Sequence, residues 1–371
     1  MSNQFSALFR DLREGRVTRR DVAKIAGSLG LATVAMHNPR PAGAVEGEVP
    51  LYFTWTGYEI PELHQAYVDE HGGSPESSVF GDEEEALQKI RAGFSVDVAH
   101  PCVETMQKWY DAGILLPLDQ SRLTYWDDMW PELQNMEGTH FDGELYFAAT
   151  DWGNSSVLYR TDIVDTEESW YMLFDEKYAG RISPWNSNSN VYAAAAYLGL
   201  DMYNVSQEDL EGPVADLLRQ QREVTRFYWD DPVQAEQAMA TGEVVSMYAW
   251  NASLVNLLAQ GIPVAYANPK EGIWTWCCGL SRISTGDGDE DLIYDFVNAW
   301  MTPESGAFLI DTYGYGHSNQ KAFEMVPPER LDELGISSPS ALFANGVFFK
   351  PLDPETENRY QTMWDEIISG M

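Results

Sequence analysis

From residue 49 onward, short apolar runs alternate with mixed polar and apolar stretches, and the alternation predicts strands and helices in turn. Val49-Pro50-Leu51-Tyr52-Phe53-Thr54-Trp55 has the length and apolarity of a buried first strand. Pro61 then opens a helix through about Glu70, because proline suits the first helical turn, where no N–H is needed. A second strand is expected over residues 77–80. Asp82-Glu83-Glu84-Glu85 follows as a helix start, with carboxylates at the positive end of the dipole. Residues 96–99 read as a third strand, 103–112 as a helix closed by Gly113, and 115–119 as an extended segment. A second block begins near residue 152, with a strand over 156–159 and an alanine-rich helix over 192–200. A strand over 242–248 then runs into a helix from about Ala252, which Asn251 to Ser253 are expected to cap. Two such blocks without a repeat or a flexible linker predict an α/β fold of two lobes joined by short crossovers. Ligands of such folds sit between the lobes, at strand ends.

The first 44 residues stand apart from this pattern. Arg10, Arg13, Arg16 and Thr18-Arg19-Arg20-Asp21-Val22-Ala23-Lys24 precede an uncharged run from Ile25 to Met36. Arg40-Pro41-Ala42-Gly43-Ala44 then supplies a small-residue site of the A-x-A kind. The paired arginines resemble a twin-arginine (Tat) export signal, which implies a periplasmic or extracellular protein. No cysteine comes just after the apolar run, so a lipid anchor is not expected. No stretch reaches the roughly 20 apolar residues that cross a bilayer.

Composition narrows the partners. Removing residues 1–44 takes seven of 23 Lys/Arg and three of 58 Asp/Glu, leaving 16 against 55 and a formal net charge of −39. Nucleic acid and anionic membrane surfaces would be repelled by such a chain. The charge favours solubility in a salty medium, where self-repulsion is screened, and it attracts cations. The 13 Trp and 19 Tyr supply ample material for cores and for an aromatic site. The three cysteines are Cys102, Cys277 and Cys278. Adjacent cysteines rarely bridge each other, which leaves either buried free thiols or one disulfide to Cys102.

An ordered series of segments resembles the spermidine/putrescine-binding family of ABC-transporter solute receptors. The series runs from Leu51-Tyr52-Phe53-Thr54-Trp55-Thr56-Gly57-Tyr58 through Asp97-Val98-Ala99-His100-Pro101-Cys102 and Gly113-Ile114-Leu115-Leu116-Pro117-Leu118-Asp119. Asp151-Trp152-Gly153, Tyr178-Ala179-Gly180-Arg181-Ile182 and Gly242-Glu243-Val244 leading to Trp250-Asn251-Ala252-Ser253 come next. Pro269-Lys270-Glu271-Gly272 with Trp276, and Gly314-Tyr315-Gly316-His317-Ser318-Asn319, complete it. The resemblance implies a two-lobe periplasmic-binding-protein-like (type II) α/β fold with a hinge between lobes. It places the first lobe at 48–149 plus 274–319 and the second at 150–273 plus 320–371. It also implies a monomeric receptor that delivers a small molecule to an ABC permease, with no cofactor and no catalysis.

By the same resemblance, Trp55, Tyr58, Trp250, Trp276 and Tyr315 are aromatic walls, with Thr56 as a polar neighbour. Aromatic faces attract ammonium groups, each contact contributing about 0.5–2 kcal/mol. Carboxylates would then pair with the amine ends. The acidic positions of the family are neutral here: Ser187 and Asn190 stand in the second-lobe loop, and Cys278 follows the Trp276 position. The first-lobe loop is also shorter, losing an aromatic after Cys102. Neutral groups cannot make burial of a dication tolerable. Asp151 at the expected hinge is the remaining carboxylate candidate, and Trp152 beside it and Cys102 are also expected to line the ligand. The helix start near Asn251 would suit a ligand carboxylate. The expected solute is thus a polyamine-like compound, a quaternary amine or an amino-acid derivative.

Two other readings stay open. Cys102 and Cys278 with His100 would make a soft metal site in a metal-ion receptor on the same fold. A secreted hydrolase with an aromatic cleft is the other, although no G-x-S-x-G elbow, H-E-x-x-H motif or Walker-type loop occurs.

Overall fold

The structure is a computed structural model and describes residues 49–81, 83–337 and 339–370. The expected export segment lies outside these residues. Where apolar runs alternate cleanly with polar stretches, the elements form as the pattern predicts. Strands β1 (Leu51–Trp55), β2 (Glu76–Phe80), β3 (Val98–Ala99) and β4 (Leu115–Leu116) are separated by helices Gln65–His71, Glu83–Arg91 and Met106–Asp111. A small hairpin, β5 (His140–Phe141) with β6 (Glu144–Leu145), precedes the second block. That block contains β7 (Ala148–Arg160), β8 (Ile182–Ser183), β9 (Ser246–Trp250), β10 (Val264–Tyr266) and β11 (Trp274–Ile283). Two short strands, β12 (Gly316–His317) and β13 (Val347–Phe348), complete it.

The principal sheet has the order β2-β1-β3-β11-β7-β9-β8. Strand β1 pairs parallel with β2 and β3, and β8 pairs parallel with β9. Strands β7 and β11 run antiparallel at the centre and link the two parallel ends. Buried side chains form two cores. One gathers Tyr52 through Trp152 with Trp276 through Phe343, and the other gathers Val157 through Trp274 with Tyr360 through Ile367. Each central strand therefore passes from one core to the other. Ala322, Val326, Leu331, Leu334, Ile336 and Phe343 join the first core, which carries that core further along the chain than residue 319. They do so because, beyond β12, helix Lys321–Met325 packs back on helix Pro303–Tyr313, whose Leu309 and Ile310 are fully buried, and helix Pro328–Glu333 follows it.

The polar centre of β7 departs from expectation. Residues 156–159 alone read as a strand, yet thirteen residues form one, with Thr150, Asp151, Asn154, Ser155 and Ser156 buried in it. Hydrogen bonds make this burial tolerable. Asn154 N–H donates to Asn251 Oδ1 at 2.7 Å, Asn154 Nδ2 donates to Thr275 Oγ1 at 3.0 Å, and Ser156 Oγ donates to the Ala267 carbonyl at 2.7 Å. Asn251 is thus spent on β7. Helix Asn251–Ala259 starts from Trp250 with no side-chain cap, contrary to the expected capping by Asn251 to Ser253.

Candidate ligand-binding site

The register of the central strands decides which side chains share a face. Trp274 pairs with Ser155, Trp276 with Gly153 and Cys278 with Asp151, while Trp250 pairs with Ser155 from the other side. Alternation along a strand then sets Asp151, Gly153, Ser155, Trp250, Trp274, Trp276 and Cys278 on one face. Trp276 needs Gly153 beneath it, since a Cβ there would run into the indole. Tyr315 meets the Trp276 ring edge-on at 4.8 Å. Tyr313 stacks beside Tyr315 at 6.3 Å and approaches Tyr58 at 5.5 Å, so Tyr58, Tyr315 and Trp276 belong to one aromatic chain. Its first-core end is fixed by the Tyr313 hydroxyl, which donates to the Gly57 carbonyl at 2.6 Å. Thr56 is exposed in this turn. Trp55 is half-buried against Phe80, 4.7 Å away between centroids. Trp250 stands edge-on to Trp185 and Trp229 at 5.2 and 5.3 Å and, half-buried, packs against both cores. The Nε1 atoms of Trp55 and Trp276 are shielded from solvent and have no acceptor.

Asp151 sits deeper than a solvated hinge residue would. It is 1% exposed, and its Oδ1 accepts from His100 Nε2 at 2.8 Å and from Thr150 Oγ1 at 2.7 Å. Burial pushes its pKa up, but His100 and the Thr150 hydroxyl outweigh that and hold it below the usual carboxylate range. The other side of the His100 ring faces the Tyr52 and Thr54 hydroxyls at 3.0 and 3.1 Å. Asp151 Oδ2 has no partner. Trp152 points to the opposite face and is fully buried. Its Nε1 donates to the His317 carbonyl at 3.1 Å, and Gly316 is packed so closely beneath it that a Cβ would clash. Trp152 is a packing residue of the first core and not a wall open to a solute.

The neutral residues at the acidic positions have local duties. Asn190 Nδ2 donates to the carbonyls of Trp185 and Ser187 at 2.7 and 2.8 Å, and its Oδ1 accepts from Gln221 at 3.0 Å. Ser187 Oγ accepts from Ser189 N–H at 3.2 Å. Together they close the 185–190 loop. Cys102 and Cys278 are joined in a disulfide, and Cys277 is a buried free thiol. This corrects the soft-metal reading: sulfurs bonded to each other offer no thiolate, and His100 is turned to Asp151.

One carboxylate at this place escaped the sequence. Glu104 follows the disulfide in the turn Val103–Thr105. Its Oε2 is shut off from solvent and has no hydrogen-bond partner. Glu83 Oε1 accepts from Cys102 N–H and from Thr105 Oγ1, both at 2.7 Å, and so grips the turn that aims Glu104. No spacing rule marks the shielded oxygen of a single half-buried glutamate. A surface groove of about 560 Å³ between Leu210 and Met363 contains none of these residues.

The chain is similar in sequence and fold to solute-binding proteins. The chain is 23% identical over 347 residues to the putrescine-binding periplasmic protein PotF of Escherichia coli K12, covering 88% of this chain and 93% of that protein. Its fold matches the spermidine/putrescine ABC transporter substrate-binding protein PotD of Streptococcus pneumoniae with a TM-score of 0.74 at 20% identity, over 86% of this chain and 98% of that one. It also matches the periplasmic binding protein MotA of Agrobacterium tumefaciens, solved with glucopine, with a TM-score of 0.69 at 18% identity, over 86% and 99%. The family model for bacterial extracellular solute-binding proteins matches residues 63–334, and the chain belongs to that family.

Proposed function

We propose that the chain is the receptor of an ABC importer and closes on a small amine-bearing solute between its two lobes. We take the lobes at the expected division, 48–149 plus 274–319 and 150–273 plus 320–371, and move 320–343 to the first because Ala322, Val326, Leu331, Leu334, Ile336 and Phe343 pack in its core. Residues 1–44 serve as the twin-arginine export signal, and the mature monomer works outside the cytoplasmic membrane. It delivers its cargo to a permease and performs no covalent chemistry.

One observation carries this reading: Trp276 lies over Gly153 with Tyr315 at its edge, where β7 and β11 pass between the cores. Such a platform suits the methylene or ammonium part of an organic solute. The indole N–H groups of Trp55 and Trp276, left without acceptors, favour a solute that also carries oxygen. An amine with a carboxylate or hydroxyl fits this set better than a bare polyamine, because the residues at the family's acidic positions hold their own loop.

The test is a thermal-shift screen of residues 45–371 with putrescine, 4-aminobutyrate, glycine betaine, an oligosaccharide and divalent metal salts. A solute at 100 times its Kd stabilises by about 2.7 kcal/mol. Stabilisation by one or more amines supports the reading. A response to the sugar or the metals alone would refute it.

A further inference from the structure

Glu104 has an unusual setting for a carboxylate in a chain so rich in them. Among the described residues no ion pair within 4.0 Å involves it, although Lys108 nearby in sequence is paired with Glu84 and Glu357. Its Oε2 has no hydrogen-bond donor among the described residues. One carboxylate oxygen of Glu104, one of Glu83 and the Cys102 sulfur all lie within 4.8 Å of one another. The segment that bears Glu104 belongs to the first core through Val103 and Met106. Its field nevertheless reaches Tyr192, Tyr203 and Tyr248 across the boundary, where it adds to burial in raising those phenols. Tyr192 and Tyr248 both pack on Trp274, at 6.3 Å each. Glu104 thus stands beside the disulfide whose other half, Cys278, lies two residues from Trp276 on the same face of β11, and its shielded oxygen lacks one component, a cation.

We propose that Glu104 is the counter-ion for an ammonium group of the solute and replaces the charge missing at Ser187, Asn190 and Cys278. The inference rests on the solute-receptor reading above and adds to it the solute's charge and a coupling to protons. Without a solute, burial pushes the Glu104 carboxyl up to about 7. The empty site is therefore substantially protonated near neutrality. An arriving ammonium stabilises the carboxylate, and the displaced proton leaves to solvent. Of the groups around Glu104, the Glu83 carboxylate accepts from Cys102 N–H and Thr105 Oγ1, while Tyr192, Tyr203, Tyr248 and the Cys277 thiol are all raised by burial. Lys350 lies over the Tyr203 ring at 4.9 Å.

The experiment is calorimetric titration of the wild type and Glu104→Gln with putrescine and 4-aminobutyrate at pH 6 and pH 8. Each titration is run in two buffers of different ionisation heat, so that protons released on binding are counted. For the wild type, affinity for the probe that binds should rise about tenfold from pH 6 to pH 8 as the competing proton is removed, with proton release at pH 6. Glu104→Gln should lose at least tenfold in affinity at pH 8, and its binding should be indifferent to pH. Amine binding that is unchanged in Glu104→Gln, or that releases no protons in the wild type at pH 6, overturns this inference and leaves the receptor reading intact. Failure of both amines to bind overturns it as well, and the sugar and metal arms of the thermal-shift screen then show whether the receptor reading falls with it. If Glu104→Gln does not fold, the proton count on the wild type decides the matter alone.

Discussion

A methyl group at residue 153 would occupy space that the Trp276 indole now fills. Gly153→Ala should therefore displace the platform, destabilising the protein by about 1–3 kcal/mol and weakening amine binding, as read by chemical denaturation and titration. Trp276→Ala and Trp55→Ala remove the walls themselves. Each should weaken binding by more than about 1 kcal/mol, and unchanged affinity in both would sink the wall assignment. At the same scale, pH acts through buried groups of opposite sign. His64 and His317 are held neutral, down to about 4, chiefly by burial. They charge more readily when unfolded, so their contribution is complete above pH 6.5 and is lost as pH falls towards 4. Glu104 is raised from 4.5 to about 7, so it weakens the fold as pH rises through that window. The melting temperature of Glu104→Gln should therefore climb more steeply between pH 5 and 7 than that of the wild type. Parallel pH profiles would show that Glu104 titrates normally.

At the scale of the element, the Cys102–Cys278 disulfide ties the loop after β3 to β11 across 176 residues of chain. Closing so long a loop in the unfolded state is worth about 5 kcal/mol in the chain-entropy model. Dithiothreitol should accordingly lower the melting temperature of the wild type and leave a Cys102→Ser/Cys278→Ser double variant unmoved. Elements also show where the sequence could be read. Strand β1 and helix Glu83–Arg91 were legible because a short apolar run and a run of acidic residues announce them. Strand β7 was read over less than half its length, since Thr150, Asp151, Asn154 and Ser155 look like loop residues until their buried partners are known. Strand β11 was read as a site and not as a strand. The aromatic walls were visible only through resemblance, because no periodicity distinguishes Trp276 at a cleft from Trp274 in a core. Glu104 was invisible: nothing in the chain separates one half-buried carboxylate with a shielded oxygen from the other 57 among 58 acidic residues.

For the whole molecule, the acidic charge and the division into two cores have different consequences. The charge acts at long range, so raising salt should slow capture of a cationic solute more than it speeds release, as stopped-flow tryptophan fluorescence would show. The division acts through β7 and β11, which are hydrogen-bonded to each other and shared by both cores. A sheet that is continuous across a boundary bends as a leaf spring does, distributing strain along several residues with no single pivot. It also denies either lobe an independent existence, because cutting the chain to free one core strips the other of its central strands. Differential scanning calorimetry of the unliganded protein should record one endotherm, with the calorimetric and van't Hoff enthalpies equal. Two resolved transitions would mean that the shared strands do not couple the cores.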